Sequence, residues 1–484
     1  MRIALAAAFD RLRPPRACRG AAVCLAAAIM LSPPGSAQVP QPSTQAHANG
    51  IPAFPGAEGF GAGATGGRGG RVIYVTNNDP SGPGSYREAL LAKGPRIILF
   101  AVSGTIPLED MWITEGDLTI AGHTAPGEGV EILGRLSMSA SNIIVRGMRF
   151  SNRPPLDEDV VQTQDVQRDV ILDHCSFRYG SDELVRFQGN GASLGRVDGL
   201  TVQYCILGPG LAGIGCHPWG TELNGFGSIH HNIWYHLLDR VPKGLGSLWD
   251  WRNNIMYNCR SGYLRLEDTR FNLINNYVID NPAVPYRYWF RDGRSLYYSG
   301  NLRDSGGTVT ELVIRRWWGV GPAVEAPFSV APVTTHQADE LEAILTPIAG
   351  AFLPVRDATD RHFIEGLKRR TGKIPFWQSP DRTWPRGKGS PLQFDPDWYD
   401  LWTPQDCPSP AAGAAPGPDS DRDGIPDDWE KLHGLNPNDA TDGPGDSDAD
   451  GYTNVEEYLN RTDPRQFVDY RDPANNIHTL HPAR

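Results

Sequence analysis

Cysteine is scarce in this chain, with seven among 484 residues. Cys18 and Cys24 fall in an N-terminal segment that reads as an export signal, which leaves Cys175, Cys205, Cys216, Cys259 and Cys407. An odd number at wide spacing excludes a disulfide framework, though it permits one bridge. There is no basic stripe and no RNP-like aromatic pattern, so nucleic acid is excluded as a partner. The apolar run from Ala21 to Leu31 is too short to span a bilayer. Arg11, Arg13, Arg16 and Arg19 precede it, and the small residues Gly35-Ser36-Ala37 follow. That order fits a signal peptide over residues 1–37, cleaved near Ala37, and hence export to the periplasm or the cell exterior with no membrane span.

The net charge of −11 is concentrated between Asp419 and Pro464, so the rest of the chain is close to neutral. Within that acidic stretch a twelve-residue pattern occurs twice. Asp419, Asp421, Asp423, Gly424, Ile425, Asp427 and Glu430 take positions 1, 3, 5, 6, 7, 9 and 12 of the first copy. Asp446, Asp448, Asp450, Gly451, Tyr452, Asn454 and Glu457 take the same positions of the second. Such spacing folds carboxylates round one calcium ion, with glycine at the sharp turn, a backbone carbonyl from Ile425 or Tyr452, and a glutamate that binds through both oxygens. The segment resembles the EF-hand-like repeats, of dockerin or thrombospondin type, that are appended to secreted bacterial proteins.

The middle of the chain is repetitive. Asn232, Asn254 and Asn276 recur 22 residues apart, and looser matches at Cys175, Cys205 and Asn301 extend the series at intervals of 30, 27 and 25. A period near this length marks a solenoid. Each unit pairs a β-rich run with Gly, Asn and Asp turns, so the units should be strands. Stacked asparagines would then form an inward amide ladder. The fold expected is an all-β parallel β-helix over residues 53–402. A linker at 38–52 precedes it. A Pro/Ala/Gly linker at 403–418, the calcium repeats at 419–464 and a tail at 465–484 follow. Ser85 to Leu91 reads as a short helix over the open end of the core, and Ala338 to Thr371 as helices packed outside.

In a parallel solenoid, loops after equivalent strands stack on one flank. Asp157, Asp159, Asp182 and Glu183 are thereby brought together as a hard-cation site, with Arg240 one rung away. Several strings carry a resemblance: A-F-P-G-A-E-G-F-G-A from Ala53, T-G-G-R-G-G from Thr65, V-S-G-T-I from Val102, I-A-G-H-T-A-P-G from Ile120, D-H-C-S-F from Asp173, and H-H-N with D-R-V-P from His230 to Pro242. Together they resemble the secreted pectate lyases of polysaccharide lyase family 1. The resemblance implies a right-handed parallel β-helix and calcium-dependent β-elimination on polygalacturonate, an acidic plant or algal polysaccharide; a monomer is expected. It implies that Arg240 is the catalytic base and that Asp159 and Asp182 are calcium ligands, with Asp157 and Glu183 adjacent candidates. Lys243, His217 and Trp219 are the substrate-binding candidates.

Other patterns have plainer readings. Gly61, Gly63 and Gly66 fit G-x-G-x-x-G without the strand before or the helix after, so a capping loop is expected. Gly191 to Gly195 fits G-x-S-x-G without an elbow. Cys205, Cys216, His217 and His231 match no zinc spacing. His174, His230 and His231 are expected in the core or the ladder, as are Trp234, Trp249 and Trp251. A polygalacturonase-type hydrolase would need paired carboxylates across the bond, and a glycan-binding solenoid without activity is the non-enzymatic alternative.

Overall fold

The computed structural model describes residues 50–108, 111–152, 159–180, 182–187, 195–210, 219–244, 246–264, 269–280, 289–291, 295–315, 324–372, 408–414 and 416–482. All of them belong to one compact unit, Pro42–Arg484. The signal segment, Asp157, His217, Cys216 and Cys407 lie outside the described residues.

Among the described residues, strands wind into three sheets: a first of ten that includes Arg71–Val75, a second of ten that includes Ile233–Tyr235, and a third of nine that includes Glu183–Phe187. Among the described strands, every neighbour pairing is parallel except the closing hairpin of Leu302–Ser305 with Thr308–Glu311. Equivalent apolar residues stack from turn to turn: Leu118 pairs with Ile143, Ile143 with Val170, and Val170 with Leu200. Each is fully buried, because one face of every strand points into the coil. Trp234, Trp249 and Trp251 are core, with Trp234 stacked 4.9 Å from Trp251.

The amide ladder runs between the first and second sheets. Asn232 Nδ2 donates to Asn254 Oδ1 at 3.0 Å, Asn254 to Asn276 at 3.2 Å, and Asn276 to Asn301 at 2.8 Å. Cys205 N continues the series onto Asn232 Oδ1, and Cys175 N onto Cys205 Sγ. Cys175, Cys205 and Cys259 are free, buried thiols. The residue before each rung turns the corner in left-handed backbone: His174, Tyr204, His231, Asn253 and Asn275 have φ between 47 and 56°. Asparagine tolerates that region best among residues with a Cβ, which explains the recurring N-N pairs.

Helix Tyr86–Leu91, capped by Ser85 Oγ on Glu88 N, buries Tyr86, Ala89 and Leu90 against the end of the core. Helices Leu341–Ile348 and Ala358–Arg369 cover the outer face of the second sheet, where Leu345, Phe363 and Leu367 meet Ile206, Tyr235 and Tyr257. Beneath them Arg178 Nη2 pairs with Asp357 Oδ1 at 2.8 Å and Asp360 Oδ1 at 2.7 Å, and Arg149 Nε with Asp357 Oδ2 at 3.3 Å. Burial alone would raise the Asp357 carboxyl, but the Arg178 and Arg149 guanidiniums outweigh it and hold it at about 2.

The glycine-rich N-terminal segment does not cap an end of the solenoid. It runs along the outside of the first sheet, crossing rung after rung. Gly67 N donates to Thr119 Oγ1, Gly66 N to Asn142 Oδ1, Gly61 N to Thr201 Oγ1 and Phe60 N to Ser228 Oγ. A Cβ on Gly61 would lie 2.3 Å from the Val170 carbonyl oxygen, so glycine serves close backbone approach here rather than phosphate binding.

The acidic segment docks on the same sheet. Ile425, Val455 and Leu459 cover Ile97, Leu99 and Ala121. Tyr74 Oη donates to Asp419 Oδ2 at 2.7 Å, and Arg68 Nε to Glu456 at 2.9 Å. The tail folds back as well, with Asn476 Oδ1 accepting from Gly56 N at 2.7 Å.

Candidate active site

The third sheet gathers the predicted catalytic residues. Strands Val161–Thr163, Glu183–Phe187, Trp219–Leu223 and Lys243–Gly244 are successive neighbours in it. Register fixes who meets whom: Glu183 pairs with Trp219, Arg186 with Glu222, and Leu223 with Gly244. Asp159 lies two residues ahead of its strand, and its Oδ1 accepts from Glu183 N at 3.1 Å. One carboxylate oxygen each from Asp159, Asp182 and Glu183 falls within 4.8 Å of the others.

Arg240 arrives from two rungs on, since Glu183 pairs with Trp219 and Trp219 with Asp239. Its Nη1 pairs with Glu183 Oε1, and Glu222 Oε2 lies 4.0 Å away. Its Cζ stands 3.5 Å from the centre of the Trp219 ring, close enough for a cation–π contact. Arg240 has φ 60°, left-handed backbone that is unusual for a residue of its size. The conformation is held from both sides. Asp239 Oδ1 accepts from Arg240 N at 2.8 Å, and the Arg240 carbonyl accepts from Thr221 N at 2.7 Å.

Positive and negative groups alternate across the sheet. Arg186 lies 3.6 Å from Asp159 and 3.7 Å from Glu222. Lys243 Nζ pairs with Glu222 Oε1, and its side chain is 1% exposed. Lys243, predicted to touch substrate, therefore sits under the site with its charge on Glu222. Trp219 gives one ring face to Arg240. Burial pushes the Asp159 carboxyl up to about 7, Arg186 pulls against it and Asp182 adds to it.

Glu222 is the residue that sequence reasoning missed. Strand W-G-T-E-L alternates in the ordinary way, and only the register with Arg186 reveals the role of its acid. Arg178, which flanks Asp182 in sequence, belongs instead to the helix-docking network. Cys205 belongs to the ladder and not to a metal site.

The two acidic loops bring part of their pattern together. Gly424 has φ 105° and Gly451 φ 109° at the sharp turns. Asp419, Asp421 and Asp423 converge, as do Asp446, Asp448 and Asp450. Asp423 and Glu430 also converge with Asp442, an acid outside both repeats. Both oxygens of Glu430, Asp421 Oδ2, Asp423 Oδ2, Asp442 Oδ1, Asp448 Oδ2 and Glu457 Oε1 are buried without a hydrogen-bond partner. Burial, reinforced by neighbouring acids, pushes Asp423 to about 7 and Glu430 to about 8. Orphaned carboxylate oxygens in this number fit calcium. The ninth positions do something else. Asp427 accepts from Ser420 N and Oγ, and Asn454 accepts from Ser447 N, so each braces its own loop. Ile425 and Tyr452 turn their side chains into apolar clusters.

The chain is 32% identical over 436 residues to a probable pectate lyase C of Aspergillus terreus, covering 86% of this chain and 95% of that one. It is 30% identical over 432 residues to a probable pectate lyase C of Neosartorya fischeri, covering 86% and 94%. Among solved structures it is similar to jun a 1, the major allergen from cedar pollen, with a TM-score of 0.46 at 16% identity, covering 61% of this chain and 92% of that one. No family model matches it. With two relatives matched along nearly their whole length, the chain belongs to the pectate lyase family.

Proposed function

We propose that this protein is an exported lyase that cleaves polygalacturonate, or a closely related polyuronate, by calcium-assisted β-elimination. The observation that supports it most is the contact of Arg240 with Glu183 beside Asp159 and Asp182 on one flank of the third sheet. The names of the matched relatives support the same substrate class. The N-terminal sequence supports export, and among the described residues no helix is long and apolar enough to cross a membrane.

Asp159, Asp182 and Glu183 offer oxygen donors of the kind a hard cation takes, with Asp157 as a further candidate. Calcium bound there supplies Lewis-acid stabilisation for charge developing on the uronate carboxylate. Neutral Arg240 takes the C5 proton, the C4–C5 double bond forms as the C4–O4 bond breaks, the departing O4 takes a proton from solvent, and an unsaturated sugar end remains. An arginine is normally protonated, and the Glu183 carboxylate favours that charged form. The proton-accepting form is therefore rare at neutral pH and grows as pH rises. Trp219 holds the guanidinium in place, and Glu222 and Lys243 fix the strand beneath it.

Incubation with polygalacturonate, in calcium and then in chelator, tests the reading. Calcium-dependent ultraviolet absorbance from unsaturated ends is expected. New reducing ends without that absorbance would make the protein a hydrolase, and binding without either signal would make it a glycan-binding solenoid.

A further inference from the structure

The C-terminal tail brings a second constellation that the lyase chemistry does not use. His478 and His481 are three residues apart in the tail, and His174 occupies a left-handed corner of the solenoid. One ring nitrogen from each lies within 4.8 Å of the other two. His174 Nε2 and His481 Nε2 are hydrogen-bonded at 3.0 Å, which is also near the separation of two nitrogens that share one ion at about 2.0–2.1 Å.

The surroundings fit ligation. His174 Nδ1 lies 2.8 Å from Asp173 Oδ1. A proton on Nδ1 is thus held by the carboxylate, which leaves the Nε2 lone pair directed at His481. Asp173 is fully buried and fixed in turn by Arg146 Nε at 3.0 Å and Gln203 Nε2 at 2.9 Å. A carboxylate that orients an imidazole and raises its basicity is the usual support behind a metal-binding histidine. His478 Nε2 approaches the same carboxylate oxygen at 3.4 Å, and its Nδ1 is buried without a hydrogen-bond partner. The His478 side chain is only 6% exposed, so that bare nitrogen is not simply solvated. The donors are imidazoles, which suit zinc and its neighbours rather than calcium.

The geometry points to a transition-metal site built from His174, His478 and His481, which takes a zinc-class divalent ion and fastens the C-terminal tail to the solenoid. The site sits at a corner of the first sheet, apart from the carboxylates of the third. Ring packing offers a competing account. His478 and His481 stack in parallel 3.9 Å apart, and His174 stacks on Tyr204 at 5.0 Å. Aromatic contact alone would hold the tail but would not respond to a metal.

Full-length protein, kept in saturating calcium so that the acidic loops stay filled, is titrated with cobalt(II) and separately with zinc(II). Cobalt should give the visible d–d absorption of an imidazole-bound ion, saturating at a single equivalent. Zinc should raise the Tm by about 3 °C. The double variant His478→Asn/His481→Asn should lose both responses while its turnover on polygalacturonate and its calcium-dependent Tm shift match the parent. Absence of the cobalt band and the zinc shift in the parent, or their survival in the double variant, overturns the site.

Discussion

Arg240 is clasped between Trp219 and Glu183, with its Cζ 3.5 Å from the indole ring centre and its Nη1 on the carboxylate. One contact is to a π-face and the other to a charge, so the guanidinium has little freedom to leave the flank where the aspartates gather. Arg240→Ala and Arg240→Lys should each lower turnover by about 10²–10⁴, the usual range for losing a proton-transfer group. Far-ultraviolet circular dichroism should stay as in the parent. Parental turnover should also climb from mild acid to alkaline pH, and a flat profile would count against arginine as the base.

Trp219 separates two roles kinetically. If it holds Arg240, Trp219→Ala loses a contact worth about 0.5–2 kcal/mol, which is about 2- to 30-fold in kcat with KM little changed. A rise in KM at constant kcat would instead make the indole a sugar platform. Steady-state kinetics on polygalacturonate decides between them.

Glu222 accepts Lys243 and stands near Arg186 and Arg240. Glu222→Gln removes the carboxylate from the buried Lys243 ammonium, and chemical denaturation should report a loss of about 3–5 kcal/mol. Glu222→Gln/Lys243→Met removes both charges together and should recover most of that loss.

Calcium removal should destabilise the whole unit, because seven buried carboxylate oxygens in the acidic loops and Asp442 otherwise lack partners. Restoring calcium to about 100 times its Kd should return about 2.7 kcal/mol per site. Glu430→Gln should shrink the calcium-dependent rise in Tm, measured by differential scanning calorimetry.

Acid sensitivity follows from Asp357. Its folded carboxyl sits at about 2, below the ordinary value of about 3.9. The unfolded chain therefore binds its proton first as pH falls. The stabilisation is fully present above about pH 4 and disappears as pH drops through about 2. Asp357→Asn should lose about 3 kcal/mol at neutral pH by leaving Arg178 and Arg149 short of a partner. Its unfolding curve should also be flatter across that acid window.

Periodic features were the legible ones. The Asn232, Asn254, Asn276 and Asn301 ladder, the end helix at Tyr86 and the outer helices are local or repeat at fixed intervals, so spacing alone exposes them. The convergence of Asp159 and Asp182 with Arg240 was legible for the same reason, since equivalent loops stack. Contacts between distant segments left no such trace. Asn476 meets Gly56 across 420 residues, and no pattern links Tyr74 to Asp419. The acid of Glu222 becomes visible only through strand register, and Asp442 only when the first calcium loop is closed in space. The glycine-rich opening reads in sequence as a cap, because glycine signals close approach without saying to what.

The way Ile425, Val455 and Leu459 blanket Ile97, Leu99 and Ala121 bears on any attempt to work with a trimmed protein. A fragment halted at residue 402 would bare an oily stripe on the first turns of the coil, and would take Glu456 from Arg68 and Asp419 from Tyr74. Such a fragment should clump during purification even if its chemistry were intact. The acidic extension is thus less an accessory hung on an enzyme than a piece of its outer wall.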